Sequence, residues 1–353
     1  MPTIILFIIA LLVLVVGHEL GHFFAAKSFG ITVEEFGIGY PPRAKKLFRW
    51  KGTLFTLNWL PFGGFVKIFG EEGHESPSSF SHQKLWKRLV VIVAGVAANI
   101  VLGVILYTAS FSIGFLGNPS DFPQSVSASP MQVLFTDVHA DTPAFSAGLL
   151  AGDTVVSVAG TDGVYVPTTA TEFSQYVQKH ENQSVTVTVL RGGEEGEIVV
   201  VPQKADGAAS ASIGVTIAEA AHIRLPFFTA LSLGFRTTMQ EFVGIFSSLG
   251  MLFSGGLGNV AGPVGIAGIA GVAYAFGFGS FLSFMALISV NLAVINLLPF
   301  PALDGGRFIL ECFSKNGVSR IPEKVIGAVN KLGFMALILI MVYVTYKDIV
   351  KIG

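Results

Sequence analysis

The stretch "LLVLVVGHELGHFFAAK", Leu11–Lys27, decides how this chain is read. Its apolar run suits lipid, yet it carries His18, Glu19 and His22, three groups that hydrocarbon tolerates poorly. On a helix His18 and His22 stand one turn apart on one face, so both imidazoles can reach one metal ion. Glu19 projects to the side, where it can act as a base toward an attacking water. This is the HExxH arrangement of zinc hydrolases. A carboxylate within a spanning helix costs about 2.5 kcal/mol or more on insertion scales, which argues against a functionless Glu19. The structural alternative is that the three polar groups only tie helices together.

Composition sets the frame. Of 353 residues 52% are hydrophobic and 13% charged, too apolar for a soluble two-domain enzyme, and the fold class expected is a polytopic α-helical membrane protein. A net charge of −1 offers no general basic surface, so nucleic acid is not an expected partner. Cys312 is the sole cysteine, which excludes an internal disulfide and a cysteine-rich metal cluster.

Working outward, Ile4–Val16 continues through Ala26 to about the 20 residues that cross hydrocarbon. A signal peptide fits poorly: no Lys or Arg precedes the run, and no small-residue cleavage site follows it. A second span is expected from Leu89 to about Leu116, a third over Phe281–Leu298, and a fourth over Leu332–Tyr346. Lys27–Arg88 holds ten Lys or Arg against five Asp or Glu, which places that loop in the cytoplasm. The loop carrying Arg307, Lys315, Arg320, Lys324 and Lys331 is basic too. Leu225–Ala275 is apolar enough to cross twice but rich in Gly and Ser; four crossings plus interfacial helices is the favoured reading, six the alternative. Three regions result: a membrane region over 1–124, an outward polar domain over 125–220, and a second membrane region over 221–353.

Within the polar domain, strands are expected at "VLFTDV", "AGDTVVSVAG" and a hairpin "SVTVTVLRGGEEGEIVVVP" closed by Gly192 and Gly193. Short helices fall at "TPAFSAGL" and "ATEFSQYVQKH". The segment "DTPAFSAGLLAGDTVVSVAG" resembles the core of PDZ domains of bacterial envelope proteases, which bind extended peptides at a sheet edge beside a helix. The resemblance makes Ile213, Gly214 and Val215, within "SIGV", the expected carboxylate-binding loop. A plain spacer or size filter is the competing reading of this domain.

Catalytic zinc takes three protein ligands and leaves a fourth position to water. Asp304 in "NLLPFPALDGGRF" meets the demand for a third, because it stands at the inward end of the third span as His22 stands at that of the first. Pro299 and Pro301 forbid a regular helix there. Irregular backbone at membrane depth is tolerated only when buried in protein or lining a wet cavity.

These pieces together resemble the site-2 protease family: "HELGH" (18–22), "PFGGFVKI" (61–68), "FSHQKLWKRLVVIVAGVAAN" (80–99), the PDZ-like insert, "AGPVGIA" (261–267) and "NLLPFPALDGG" (296–306). The resemblance implies one zinc ion per chain on His18, His22 and Asp304, with Glu19 as general base. It implies a role for Asn296 in holding substrate backbone, and a membrane-associated β-hairpin at about Thr53–Phe69. It also implies a bacterial inner membrane location, an active site near the cytoplasmic side, and a single-span membrane protein as substrate, such as an anti-sigma factor trimmed by a first cut. Three departures stand out: Val96 replaces a proline common in relatives, Arg307 a histidine, and one PDZ-like unit stands where the best-studied members have two. A non-catalytic adaptor that binds protein tails, and an HExxH protease with a cytoplasmic active site, are the other readings.

Overall fold

The computed structural model describes residues 2–71, 76–122, 127–205, 207, 210–255, 262–315, 318–319 and 323–352. The expected boundary at 124/125, Ala261 of "AGPVGIA" and Arg320 lie outside these. The chain opens with α1 (Pro2–Ser28), then β1 (Val33–Trp50), β2 (Thr53–Ile68) and α2 (Leu85–Ile113). The insert follows, and then α5 (Phe227–Gly255), α6 (Pro263–Ala275), α7 (Phe278–Leu297), α8 (Asp304–Cys312) and α9 (Glu323–Ile352). Among the described residues four helices are long and apolar enough to cross a membrane, at Ile4–Ser28, Leu85–Ile113, Phe278–Leu297 and Val325–Val350. They match the four spans expected from the sequence. α5 is as long as α2 but carries Arg236 and Glu241, and the Tyr107 hydroxyl on α2 donates to Glu241 at 2.5 Å.

α2 is the central helix, packing against α1, α5, α7 and α8. Lipid gives helices no hydrophobic reason to associate, so small residues must let backbones approach. Gly21 on α1 faces the Ala94 carbonyl and Ala98 of α2 so closely that any Cβ would collide. At the α2–α7 contact the Ser110 hydroxyl donates to the Gly279 carbonyl at 2.7 Å, and Ser289 to the Asn99 carbonyl at 2.8 Å.

β1 and β2 form one curled antiparallel sheet and not a simple hairpin over Thr53–Phe69. Both strands bend, so Glu35–Ile38 pairs with Leu54–Leu57 on one side and with Gly64–Lys67 on the other. Sequence alternation showed strands here but could not show a strand doubling back on its partner.

The insert begins where α2 ends. β3 (Phe115–Gly117) and β4 (Ser127–Ala128) pair with the outer half of β10 (Val215–Arg224), whose inner half pairs with β5 (Gln132–Val138). β6 (Thr154–Gly160), β8 (Val185–Arg191) and β9 (Glu194–Val200) complete the sheet, and β7 (Gly163–Tyr165) is added to β6. α3 (Pro143–Ala147) and α4 (Ala170–Lys179) start at Thr142 and Thr169, whose hydroxyls accept from the Phe145 and Glu172 amides. Val133, Phe135, Phe173, Val185 and Val187 fill the core. Asp153, fully buried, accepts two bonds from Arg191 at 2.6 and 2.7 Å. Every strand and helix expected from the sequence is present. β3, β4, β7 and β10 were not expected, being short, or placed by a partner distant in sequence.

Two outcomes follow from these contacts. Gly21→Leu forces α1 and α2 apart and lowers unfolding stability by about 1–3 kcal/mol, read as a lower melting midpoint of the detergent-solubilised protein. In the insert, the Lys179 ammonium, aided by the Tyr176 hydroxyl and His180, holds the Asp162 carboxyl below the usual carboxylate range. A carboxylate lowered on folding contributes stability above its unfolded pKa of about 3.9 and loses it as pH falls below that value. The protection factors of the α4 amides, corrected for intrinsic exchange at each pH, are therefore expected to fall below about pH 4, and to do so less steeply in Asp162→Asn.

Candidate metal centre

α1 places His18 and His22 one turn apart, and α8 brings Asp304 to meet them. The His18 and His22 Nε2 atoms are 3.1 Å apart, and Asp304 Oδ2 lies 3.1 Å from the first and 3.3 Å from the second. A tetrahedral zinc with bonds of about 2.0–2.2 Å separates its ligand atoms by about 3.3 Å or slightly more, so this triangle comes within about 0.2 Å of the spacing such an ion sets. Asp304 Oδ2 is buried and has no hydrogen-bond partner. A buried carboxylate oxygen without a donor costs several kcal/mol unless a cation faces it. Two imidazoles and a carboxylate are a donor set suited to zinc.

The approach of Asp304 rests on the corner after α7. Pro299 and Pro301 stop that helix, and the backbone folds back so closely that a Cβ on Gly305 would strike the Leu297 and Leu298 carbonyls. On Gly306 it would strike the Phe300 carbonyl. The double glycine of "LDGG" is therefore a steric requirement. Asp304 begins α8, where a helix N-terminus favours negative charge. Arg88 of α2, buried, pairs with Glu311 at the far end of α8 and ties the helix down.

α2 also holds the imidazoles. The His22 Nδ1 donates to the Val91 carbonyl at 2.8 Å, and Asn99 Nδ2 lies 3.3 Å from His18 Nδ1. Gly95, midway between, leaves the room both rings need, since a Cβ there would overlap them. Val91, Gly95 and Asn99 recur every four residues and share one face of α2. Reading the motif alone missed all three, although that spacing was a signal the sequence held.

Glu19 lines the same cavity, about 210 Å³, with His18, His22, Asp304, Tyr40 and Arg307. Gly64, Phe65 and Val66 of β2 form another wall, and the Glu19 Cγ sits 3.5 Å from where a Gly64 Cβ would be. Arg307 reaches Glu71 at 3.1 Å and stands over the Phe80 ring, joining α8 to the chain just after β2. Asn296, half-buried near the end of α7, does not line the cavity. Ile213, Gly214 and Val215 lie in the insert, lining a separate cleft of about 110 Å³ between α4 and β10.

A helix-borne His pair faced by an aspartate from a glycine corner, among membrane-length helices, is a candidate metal-binding triad. The sequence model of peptidase family M50 matches residues 6–340, and the chain belongs to that family. It is 36% identical to a Clostridium perfringens protein named as a candidate zinc metalloprotease, covering 98% of both chains. A Clostridium acetobutylicum protein named in the same way is 30% identical over 99% of this chain and 97% of its own. The membrane metalloprotease ARASP of Arabidopsis thaliana chloroplasts is 31% identical over 97% of this chain and 77% of its own.

The ion pair under α8 has a measurable role. Glu311→Leu leaves the Arg88 guanidinium buried beside an apolar group, and is expected to lower stability by about 3–5 kcal/mol. The double change Arg88→Met/Glu311→Leu recovers most of that loss in the same melting experiment.

Proposed function

We propose that His18, His22 and Asp304 hold one zinc ion and that Glu19 is the general base of a site-2 type intramembrane endopeptidase. As a member of family M50 the chain is a zinc-dependent metalloprotease. The observation that carries the assignment of residues is the convergence of the three ligand atoms within 3.3 Å of one another, beside Glu19. The adaptor reading gives no reason for that convergence.

Bound there, zinc supplies Lewis-acid polarisation of a peptide carbonyl and activation of a water near neutral pH. Glu19 accepts the proton of the attacking water and delivers it to the leaving amine. Each imidazole would give its Nε2 lone pair to the ion, with its proton on Nδ1. The β2 wall orients the substrate. Among the described residues Gly64–Lys67 pairs on one side only, with Glu35–Ile38, and its other edge borders the cavity. A transmembrane segment must unwind to expose its carbonyls, and an unwound stretch can add to that edge as a strand. A role for Asn296 in holding substrate backbone rests on the family motif alone, since its side chain does not line the cavity.

The substrate class is the spanning helix of a single-span membrane protein; an anti-sigma factor after a first extracytoplasmic cut rests on resemblance alone. The basic loop before α2 supports an orientation in a bacterial cytoplasmic membrane with the insert outside and the metal centre toward the cytoplasm. The insert is PDZ-like, and its cleft, lined by Phe173, Val177, Ile213 and Ile217, takes an apolar peptide tail.

Glu19→Gln is expected to retain zinc and lose cleavage of a single-span reporter by about 10²–10⁴-fold. Cleavage at the wild-type rate removes Glu19 as the base. Asp304→Asn is expected to lower zinc content along with activity; unchanged zinc and activity would remove Asp304 from the ligand set.

A further inference from the structure

We propose that Asn99 is a positioning residue of the metal centre: its side-chain amide oxygen accepts from His18 Nδ1–H and thereby presents His18 Nε2 to the metal. This rests on the reading of His18, His22 and Asp304 as zinc ligands.

The argument is one of proton placement. An imidazole that binds a metal through Nε2 carries its proton on Nδ1, and that proton requires an acceptor. For His22 the acceptor is the Val91 carbonyl at 2.8 Å, which has no proton to give and so fixes the tautomer. For His18 the side chain at Nδ1 is the Asn99 amide at 3.3 Å. Asn99 is fully buried, and its Oδ1 has no hydrogen-bond partner. A buried amide oxygen without a donor costs about 1–3 kcal/mol, a penalty that calls for a partner.

The amide's oxygen and nitrogen exchange places by a half-turn of its terminal torsion. With the nitrogen toward His18, the amide would donate to Nδ1 and leave the ring proton on Nε2, where it blocks a ligand bond. With the oxygen there, Nδ1–H is satisfied and the Nε2 lone pair is left for a metal ion shared with Asp304, whose Oδ2 lies 3.1 Å away. Only the second arrangement serves a metal.

The position of Asn99 is itself held. Its backbone carbonyl accepts from Ser289 of α7 at 2.8 Å, and it lies two turns from Val91 on the α2 face that meets α1. One helix face thus addresses both imidazoles, by a main-chain acceptor for His22 and a side-chain acceptor for His18. Leu at 99 could fill the space but not accept the proton, and Ala could do neither.

The test is zinc affinity of the full-length, detergent-purified chain by chelator competition, with melting of the metal-free protein recorded alongside. Asn99→Leu and the smaller Asn99→Ala are each expected to weaken zinc about 10–100-fold. Asn99→Asp, which keeps an acceptor at that place, is expected to stay within about threefold of wild type if second-shell acceptance is what matters. Wild-type affinity in the Leu or Ala variant overturns the proposal. So does Asn99→Asp losing zinc as fully as Asn99→Ala, because the role would then be packing. Wild-type protein that binds no zinc, or His18→Ala that binds it undiminished, would instead overturn the ligand assignment itself.

Discussion

Two imidazoles on a membrane helix are held ready for a metal when a neighbouring helix brings a hydrogen-bond partner to the Nδ1 of each ring. The approach of α2 to α1 meets that constraint, and much of the architecture follows from it. Gly21 removes the side chain that would hold the helices apart, and Gly95 removes the one that would overlap the rings. Val91 and Asn99 can then reach His22 and His18 from the same face. Without close approach the histidines would be costly passengers in lipid; with it, both rings are oriented before any metal binds.

The second half of the centre is built differently. Asp304 is held by an irregular corner, where two prolines end α7 and two glycines let α8 fold back against it. The two glycines are buried, while Pro299 and Ala302 on the outside of the corner are exposed. The Arg88–Glu311 pair fastens the far end of α8 to α2, so the helix that aligns the imidazoles also anchors the carboxylate. Arg307 and Glu71 link the same corner to the curled sheet, bringing the β2 edge and Glu19 to one cavity.

The insert is joined to this frame through β10. Its inner half forms the sheet and one wall of the α4 cleft, while its outer half pairs with β3, the continuation of α2. Leu225 N–H donates to the Phe111 carbonyl at 2.8 Å, closing the junction where β10 gives way to α5. The polar domain therefore has a strand-built seat on the membrane helices in addition to its covalent links.

The amino-acid sequence by itself determined the four membrane-length helices, the strands and helices of the insert, and the set His18, His22 and Asp304 that is proposed here to hold the metal. Those features are written in local period, in the i, i+4 spacing of His18 and His22, and in the glycine–proline corner around Asp304. The sequence did not reveal that Thr53–Ile68 doubles against one partner strand, that β10 divides between two neighbours, or that Asn99 and Val91 attend the histidines. Each of these depends on which segments distant in sequence come within about 3 Å of one another, the reach of a hydrogen bond. Local pattern carries no record of that distance. Only the packing of α1 against α2, and of α8 beneath them, decides it.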